Sequence, residues 1–362
     1  MRRSSDELSI AIMSIRHILV ASCLAVAWSS TPALAQTSDL LFAETTPVRL
    51  TISAPFSRVT RQPETSSEAY PASLVVAGAA PETLAATVSP RGISRRRRDL
   101  CAFPPIRIEL PTKPAATSLF KGQRRLKLVT HCRSDESFQK HVLLEYAAYR
   151  LLNVLSPISL RVRLASIDYA EPGSARPFIS RLGFLIEDVD DAAKRNGLVE
   201  ITSPSVAVRQ LAARDAARFA VFAYMIGNLD WSMRASIAGE TCCHNGKLLA
   251  PTKGAVANLI PLPYDFDQSG FVGTPYAAPP RQVRVRSVQV RHYRGFCVHN
   301  PQAQAAASEM LAARAAVLAE LDAVPGLDAE ARARKSAYLA EFFDDIATPQ
   351  KVEKNLLSSC VS

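Results

Sequence analysis

Ile226-Gly227-Asn228-Leu229-Asp230-Trp231 opens a stretch that runs on through His244-Asn245. It reaches Leu259-Ile260-Pro261-Leu262-Pro263 and then Tyr264-Asp265-Phe266-Asp267. Apolar segments here deliver two acidic centres, Asp230 and the pair Asp265 and Asp267, together with one asparagine, Asn245. Carboxylate and amide oxygens are hard ligands for a divalent cation, and a further acidic group can orient a hydroxyl toward a phosphoryl donor. An Asp-x-Asp pair alone is also an ordinary surface turn, and glycosyltransferases use it for metal. The weight of the stretch therefore depends on what precedes it.

Working back toward the N-terminus, the spacing predicts a helix over about 205–226. Leu211, Phe219, Phe222 and Met225 lie on its apolar face, and Arg209, Arg214 and Arg218 lie outside it. Its C-terminal end leads into Asn228 and Asp230. Before it, residues 160–169 and 176–186 alternate as two strands around the turn Glu171-Pro172-Gly173-Ser174. The second strand ends at Glu187-Asp188, where a short acidic helix running to Asn196-Gly197 can begin. A further helix is expected over 134–155, capped by Ser134, with Phe138, Val142, Tyr149 and Leu152 at three- and four-residue spacing. Glu145 falls on that same stripe, and a carboxylate facing a core is costly unless paired.

Residues 101–110 and 124–132 read as two strands of a hairpin centred near Ala116 and Thr117. That register sets Cys101 opposite Cys132, close enough for a disulfide. Within the second strand, Leu126 and Leu128 share one face while Lys127 and Val129 share the other. Lys127 either snorkels to water or finds a buried partner.

These parts, in this order, resemble the spore-coat CotH-type atypical kinases and, more distantly, the HipA and phosphatidylinositol kinases. In those proteins a Gly-Asn-x-Asp loop precedes a second, strand-borne aspartate. The resemblance covers about residues 97–300. It implies a two-lobed α+β kinase-like fold, with an antiparallel β first lobe carrying one helix and a mainly helical second lobe. The segments would be a β-rich entry over 36–96, the first lobe over 97–187, the second over 188–348 and a tail over 349–362.

The resemblance also implies site roles. Lys127 and Glu145 would pair to place the nucleotide phosphates, and Glu187, Asp188 and Val189 would form the hinge that meets adenine. Asp230 would orient or deprotonate the acceptor hydroxyl. Asp265 and Asn245 would bind metal, with Asp267 as a further ligand. The implied activity is transfer of the γ-phosphoryl of ATP, with Mg²⁺ or Mn²⁺, to Ser or Thr hydroxyls of a protein. No glycine-rich phosphate loop is evident, and Lys121-Gly122-Gln123 is the nearest substitute.

The chain has 362 residues, 48% of them hydrophobic, enough for one large domain or two lobes. A formal charge of +10 favours acidic partners without choosing one; nothing points to nucleic acid. Arg16-His17, the apolar run 18–28 and Ala33-Leu34-Ala35 predict an export signal over 1–35 and a periplasmic or extracellular protein with no membrane span. Six cysteines then remain, which in an oxidising compartment predicts disulfides. The run Arg95 to Arg98 is either a solvated turn or a binder of phosphate or acidic protein. Residues 279–291 form a basic alternating segment, either an edge strand or a substrate-facing surface.

Two other classes stay open. An exported pseudokinase-like binding or surface-structure protein would share the parts without turnover. A metal-dependent glycosyltransferase would need an α/β domain ahead of Asp265, where the text is β-rich instead. A Ser-His-Asp hydrolase lacks its Gly-x-Ser-x-Gly elbow.

Overall fold

Alternation of apolar and polar residues dominates the first half of the chain and produces strands there. The computed structural model describes residues 40–236 and 240–362, so the expected export signal lies outside the described residues. Seven strands close into a barrel: β1 (Val48–Ser53), β2 (Tyr70–Val76), β3 (Glu82–Pro90), β4 (Ile106–Glu109), β5 (Arg125–Val129), β6 (Val162–Ala170) and β7 (Ile179–Ile186). Around the barrel the order is β1-β2-β3-β4-β5-β7-β6. Every pairing is antiparallel except the closing one, where β1 runs parallel to β6 from Val48↔Ala165 to Ser53↔Ala170.

The expected two-lobed kinase-like fold with an antiparallel first sheet is overturned by this closed, mixed barrel. The physical reason lies in β1. Paired on both edges, it removes the free edge that an open sheet would leave. The β-rich text before residue 97 thus supplies three of the seven staves. A second, three-stranded sheet has the order β10 (Ile260–Pro263), β9 (Gly246–Ala250) and β8 (Val199–Ile201).

Eight helices occur among the described residues: α1 (Phe56–Val59), α2 (Gln139–Leu155), α3 (Val189–Arg195), α4 (Ala213–Ile226), α5 (Asn300–Ala312), α6 (Arg314–Asp322), α7 (Ala329–Asp345) and α8 (Pro349–Asn355). Helix α2 begins after a 3₁₀ turn, Glu136–Phe138, which Asp135 caps by accepting from the Ser137 N–H at 2.7 Å; Ser134 is not the cap. Helix α4 starts at Ala213, later than the periodicity indicated, and ends at Gly227. That residue's φ of +61° supplies the left-handed turn that the chain needs before Asn228. Over 279–291 the expected strand is absent. Pro279 and Pro280 lack the N–H groups a ladder requires, and the segment makes turns that bury Val283 and Val288 while Arg281, Arg284 and Arg286 stay exposed.

The barrel interior holds Leu50, Ile52, Leu74, Val88, Ile106, Ile108, Leu126, Leu128, Ile167 and Leu185. Val129, Phe184 and Ile186 belong to the second core, with the apolar faces of α2 and α4. Because successive side chains of a strand point to opposite faces, β5 sends Leu126 and Leu128 inward and turns Lys127 and Val129 outward. This alternation sets a lysine at the seam where barrel and helices pack. Burying side chains such as Tyr149, Phe222 and Phe266 at that seam contributes roughly 1.5–3 kcal/mol each.

Candidate functional site

The loop after α4 is fixed by its own backbone and by residues 270–271. The Gly270 N–H donates to Gly227 O at 3.0 Å and the Phe271 N–H to Ile226 O at 2.9 Å. Asn228 is buried, and its side-chain oxygen accepts from the Asp230 N–H at 3.0 Å, while its carbonyl accepts from the Trp231 indole at 3.0 Å. The conformation of Asp230 is therefore set before any ligand arrives.

Three side chains hold the Asp230 carboxylate. His244 Nε2 lies 2.8 Å from Oδ1, and Asn245 and Gln268 donate to Oδ2 at 3.0 and 2.9 Å. The hydrogen bond to Asp230 pushes the His244 imidazole above its ordinary value, against the opposing effect of burial. His244 and Asn245 return to Asp230 because the intervening loop folds back on itself. The Ser232 N–H donates to His244 O at 3.0 Å, and Cys242 and Cys243 form a disulfide within it.

Asp265 follows β10 with a φ of +63°, and its N–H donates to the Tyr149 hydroxyl at 2.9 Å. Its side chain is 34% exposed, which leaves it the most open of the three carboxylates around Arg95. The Arg95 guanidinium reaches Glu145 Oε2 and Asp265 Oδ1 at 3.0 Å each and Asp267 Oδ2 at 3.4 Å. Asp267 also accepts from the Tyr276 hydroxyl at 2.9 Å. Burial pushes Glu145 and Asp267 above the usual carboxylate range while Arg95 opposes it; the bidentate contact with Glu145 favours the ionised form.

Lys127 makes no ion pair among the described residues. Its ammonium stands 5.1 Å from the centre of the Tyr264 ring, and Glu145 is paired with Arg95 instead. Burial, and secondarily the neighbouring Arg91, lowers Lys127 to about 8. Arg91, just past β3, is similarly desolvated; its Nε is buried with no hydrogen-bond partner, and Asp265 is the strongest opposing charge. Two cations thus lie near Asp265, and neither makes an ion pair among the described residues, although Asp265 acts on both and Asp188 on Lys127.

The structure places the residues expected from sequence as follows. Lys127, Glu145, Asp230, Asn245, Asp265 and Asp267 come together at the seam, although Lys127 and Glu145 do not pair. The expected hinge directly follows the β7 residue paired with Lys127, and Asp188 acts on the Lys127 ammonium, while its own groups are engaged locally. Glu187 is buried against Arg195 at 2.9 Å, its N–H donates to Arg161 O, and Asp188 caps α3 by accepting from the Asp190 N–H, with Val189 buried in the first turn.

No site role follows from sequence for Arg91, Gln268 or Tyr276, while Tyr149 shows there only as a helix-core residue and Arg95 only as part of a basic run. A signal existed for the arginines: positions 91 and 95 flank a turn directly after an alternating strand. His244 was visible beside Asn245, without a role.

The carboxylates do not fit a divalent metal. The Arg95 cation occupies the space between Asp265, Asp267 and Glu145, and the Asn245 amide nitrogen faces Asp230. No group of three or more His, Cys, Asp or Glu among the described residues is arranged to hold an ion. A scan against protein families finds no match for this chain, and a search of curated proteins finds no relative.

Proposed function

We propose that this chain binds a nucleoside triphosphate or related polyphosphate at Lys127 and Arg91, and transfers a phosphoryl group to a hydroxyl, on a protein Ser or Thr, held at Asp230. The observation that carries the reading is the pair of desolvated cations beside Asp265 that make no ion pair among the described residues. Buried charges are ordinarily paired, and phosphate oxygens would supply the missing partner. The acceptor hydroxyl oxygen would attack the terminal phosphorus as the bond to the bridging oxygen breaks. The nucleoside diphosphate would leave, and the hydroxyl proton would pass to Asp230. Both oxygens of Asp230 already accept hydrogen bonds that fix its orientation, so its main contribution is to orient the hydroxyl.

Export fits the chain as well. All six cysteines among the described residues are paired, as Cys101–Cys132, Cys242–Cys243 and Cys297–Cys360, which suits an oxidising compartment. No helix of the described residues is long and apolar enough to cross a membrane.

One observation favours the second reading, a binding protein without turnover: the acidic cluster already holds a cation, Arg95. The two separate in one experiment. A ligand that binds only the folded state raises stability by about 2.7 kcal/mol at a hundredfold excess over its dissociation constant. ATP is expected to stabilise the purified chain, Lys127→Ala to abolish the effect, and Asp230→Asn to keep binding but lose phosphoryl transfer to a peptide mixture. Binding without transfer in the wild type favours the non-catalytic reading. Absence of stabilisation at millimolar ATP, with or without added metal, refutes the phosphate site.

A further inference from the structure

Three carboxylates converge on Arg95 through four contacts to one buried guanidinium. Nη1 meets Glu145 Oε2 at 3.0 Å, and Nη2 meets Glu145 Oε1 at 3.4 Å and Asp265 Oδ1 at 3.0 Å. Nε lies 3.4 Å from Asp267 Oδ2. The Arg95 side chain is 7% exposed, those of Glu145 and Asp267 3% and 5%. A guanidinium keeps its charge at any accessible pH, so this cation cannot leave by losing a proton.

Nor is Arg95 on a free arm. It lies in the 3₁₀ turn Ser94–Arg96, where the Arg97 N–H donates to Ser94 O at 3.1 Å. Arg96 donates to the carbonyls of Pro63 and Ser66, and Arg98 to the carbonyl of Arg61. The Cys101 N–H donates to Arg97 O at 2.9 Å, and Cys101 is bonded to Cys132 at the end of the hairpin. Of the four consecutive arginines, one enters the site and two of its neighbours grip the loop at residues 61–66.

We infer that Arg95 is a built-in counter-cation, standing among the carboxylates where a phosphoryl-transfer site would otherwise need a divalent ion, so that polyphosphate binding by this chain is independent of metal. The inference rests on the phosphate site proposed above. Arg95 partly offsets the charge of Asp265 and Asp267 beside Lys127 and Arg91. A divalent ion could reach the same oxygens only by displacing a pinned guanidinium against charge repulsion. In this role Arg95 is a positioning residue that acts through the carboxylates.

The test is ATP binding to the full chain by calorimetry, in EDTA and in Mn²⁺, with free Mn²⁺ followed in parallel by electron paramagnetic resonance. Dissociation constants within about threefold of each other, and no Mn²⁺ taken up by the protein alone, are expected. Arg95→Met frees the three carboxylates and is expected to gain Mn²⁺ binding that the wild type lacks. Should that variant not fold, the wild-type comparison still decides. ATP binding more than about tenfold tighter in Mn²⁺ than in EDTA overturns the inference and leaves the phosphate site standing. Binding in neither condition refutes the phosphate site, and the inference with it.

Discussion

Replacing Lys127 with methionine removes a charge while keeping an unbranched side chain of similar reach against Tyr264. Burial takes the ammonium from 10.5 to about 8, with Arg91 and Lys247 acting in the same direction and Asp188 and Asp265 against it. That fall corresponds to about 3 kcal/mol of preference for the neutral form. Lys127 keeps some of its surface in solvent, so we take roughly half of that as the actual cost of the charged state. Losing the cation–π contact with Tyr264 returns about 0.5–1 kcal/mol.

Lys127→Met should therefore stabilise the ligand-free protein by on the order of 1 kcal/mol at pH 7 while abolishing its response to ATP. The sign with pH follows from the depressed value. Between about 8 and 10.5 the unfolded chain binds the proton that the folded one has released, so wild-type stability rises there and the advantage of the variant fades. Equilibrium urea unfolding of both proteins at pH 7 and near pH 10.5, under non-reducing conditions, measures the difference directly. A variant destabilised by more than about 1 kcal/mol at pH 7 would mean that Lys127 serves the fold as a paired charge, and the phosphate site would lose its main support.

Three further outcomes are expected. ATP affinity of the wild type should fall as pH rises through about 8, where Lys127 loses its charge, and calorimetry between pH 7 and pH 9.5 reads this; a flat profile excludes Lys127 from the contact. His131, buried against Phe103 and Tyr169 and lowered by burial to about 4, stays neutral in the fold while the unfolded chain protonates near 6.5. Stability should thus drop by on the order of 3 kcal/mol as pH falls from 6.5 to 4, and urea midpoints of His131→Phe should be less sensitive over that window. Gly227→Ala places a Cβ 3.1 Å from Val288 O and 2.2 Å from the Tyr338 hydroxyl at a φ of +61°. It should cost about 1–3 kcal/mol and shift the Asp230 loop, visible as a lower unfolding midpoint together with weaker peptide phosphorylation.

The local parts of the site were legible because each rests on short-range periodicity. Alternation in Leu126-Lys127-Leu128-Val129 gave the outward face of Lys127, and helical spacing gave the inward face of Glu145. The Cys101–Cys132 disulfide forms as expected, with Cα atoms 4.6 Å apart, although Phe103 rather than Cys101 lies opposite Cys132. The partner of Glu145 was not legible. A run of four arginines has no periodicity to tell which member turns inward, and Arg95 does so only because its neighbours grip the loop at 61–66. The barrel was hidden for a related reason. The burial pattern of β1 looks the same whether its second neighbour is parallel or antiparallel, and that neighbour, β6, lies far along the chain. A serial reading therefore finds a detached β entry where the chain makes a closed surface.

The parallel seam between β1 and β6 also governs the order in which this protein can assemble. The hairpins β1–β2 and β2–β3 can form as soon as their residues exist, whereas Val48 must wait for Ala165 before its other edge is paired. Contacts so distant in sequence form slowly, because the loop entropy is spent before the contact returns anything. Until then β1 presents a bare row of amide and carbonyl groups, the template on which chains associate edge to edge. A chain made or delivered from its N-terminus passes through that state every time. Its yield should therefore be limited by chaperoning of an unfinished barrel more than by the stability of the finished one.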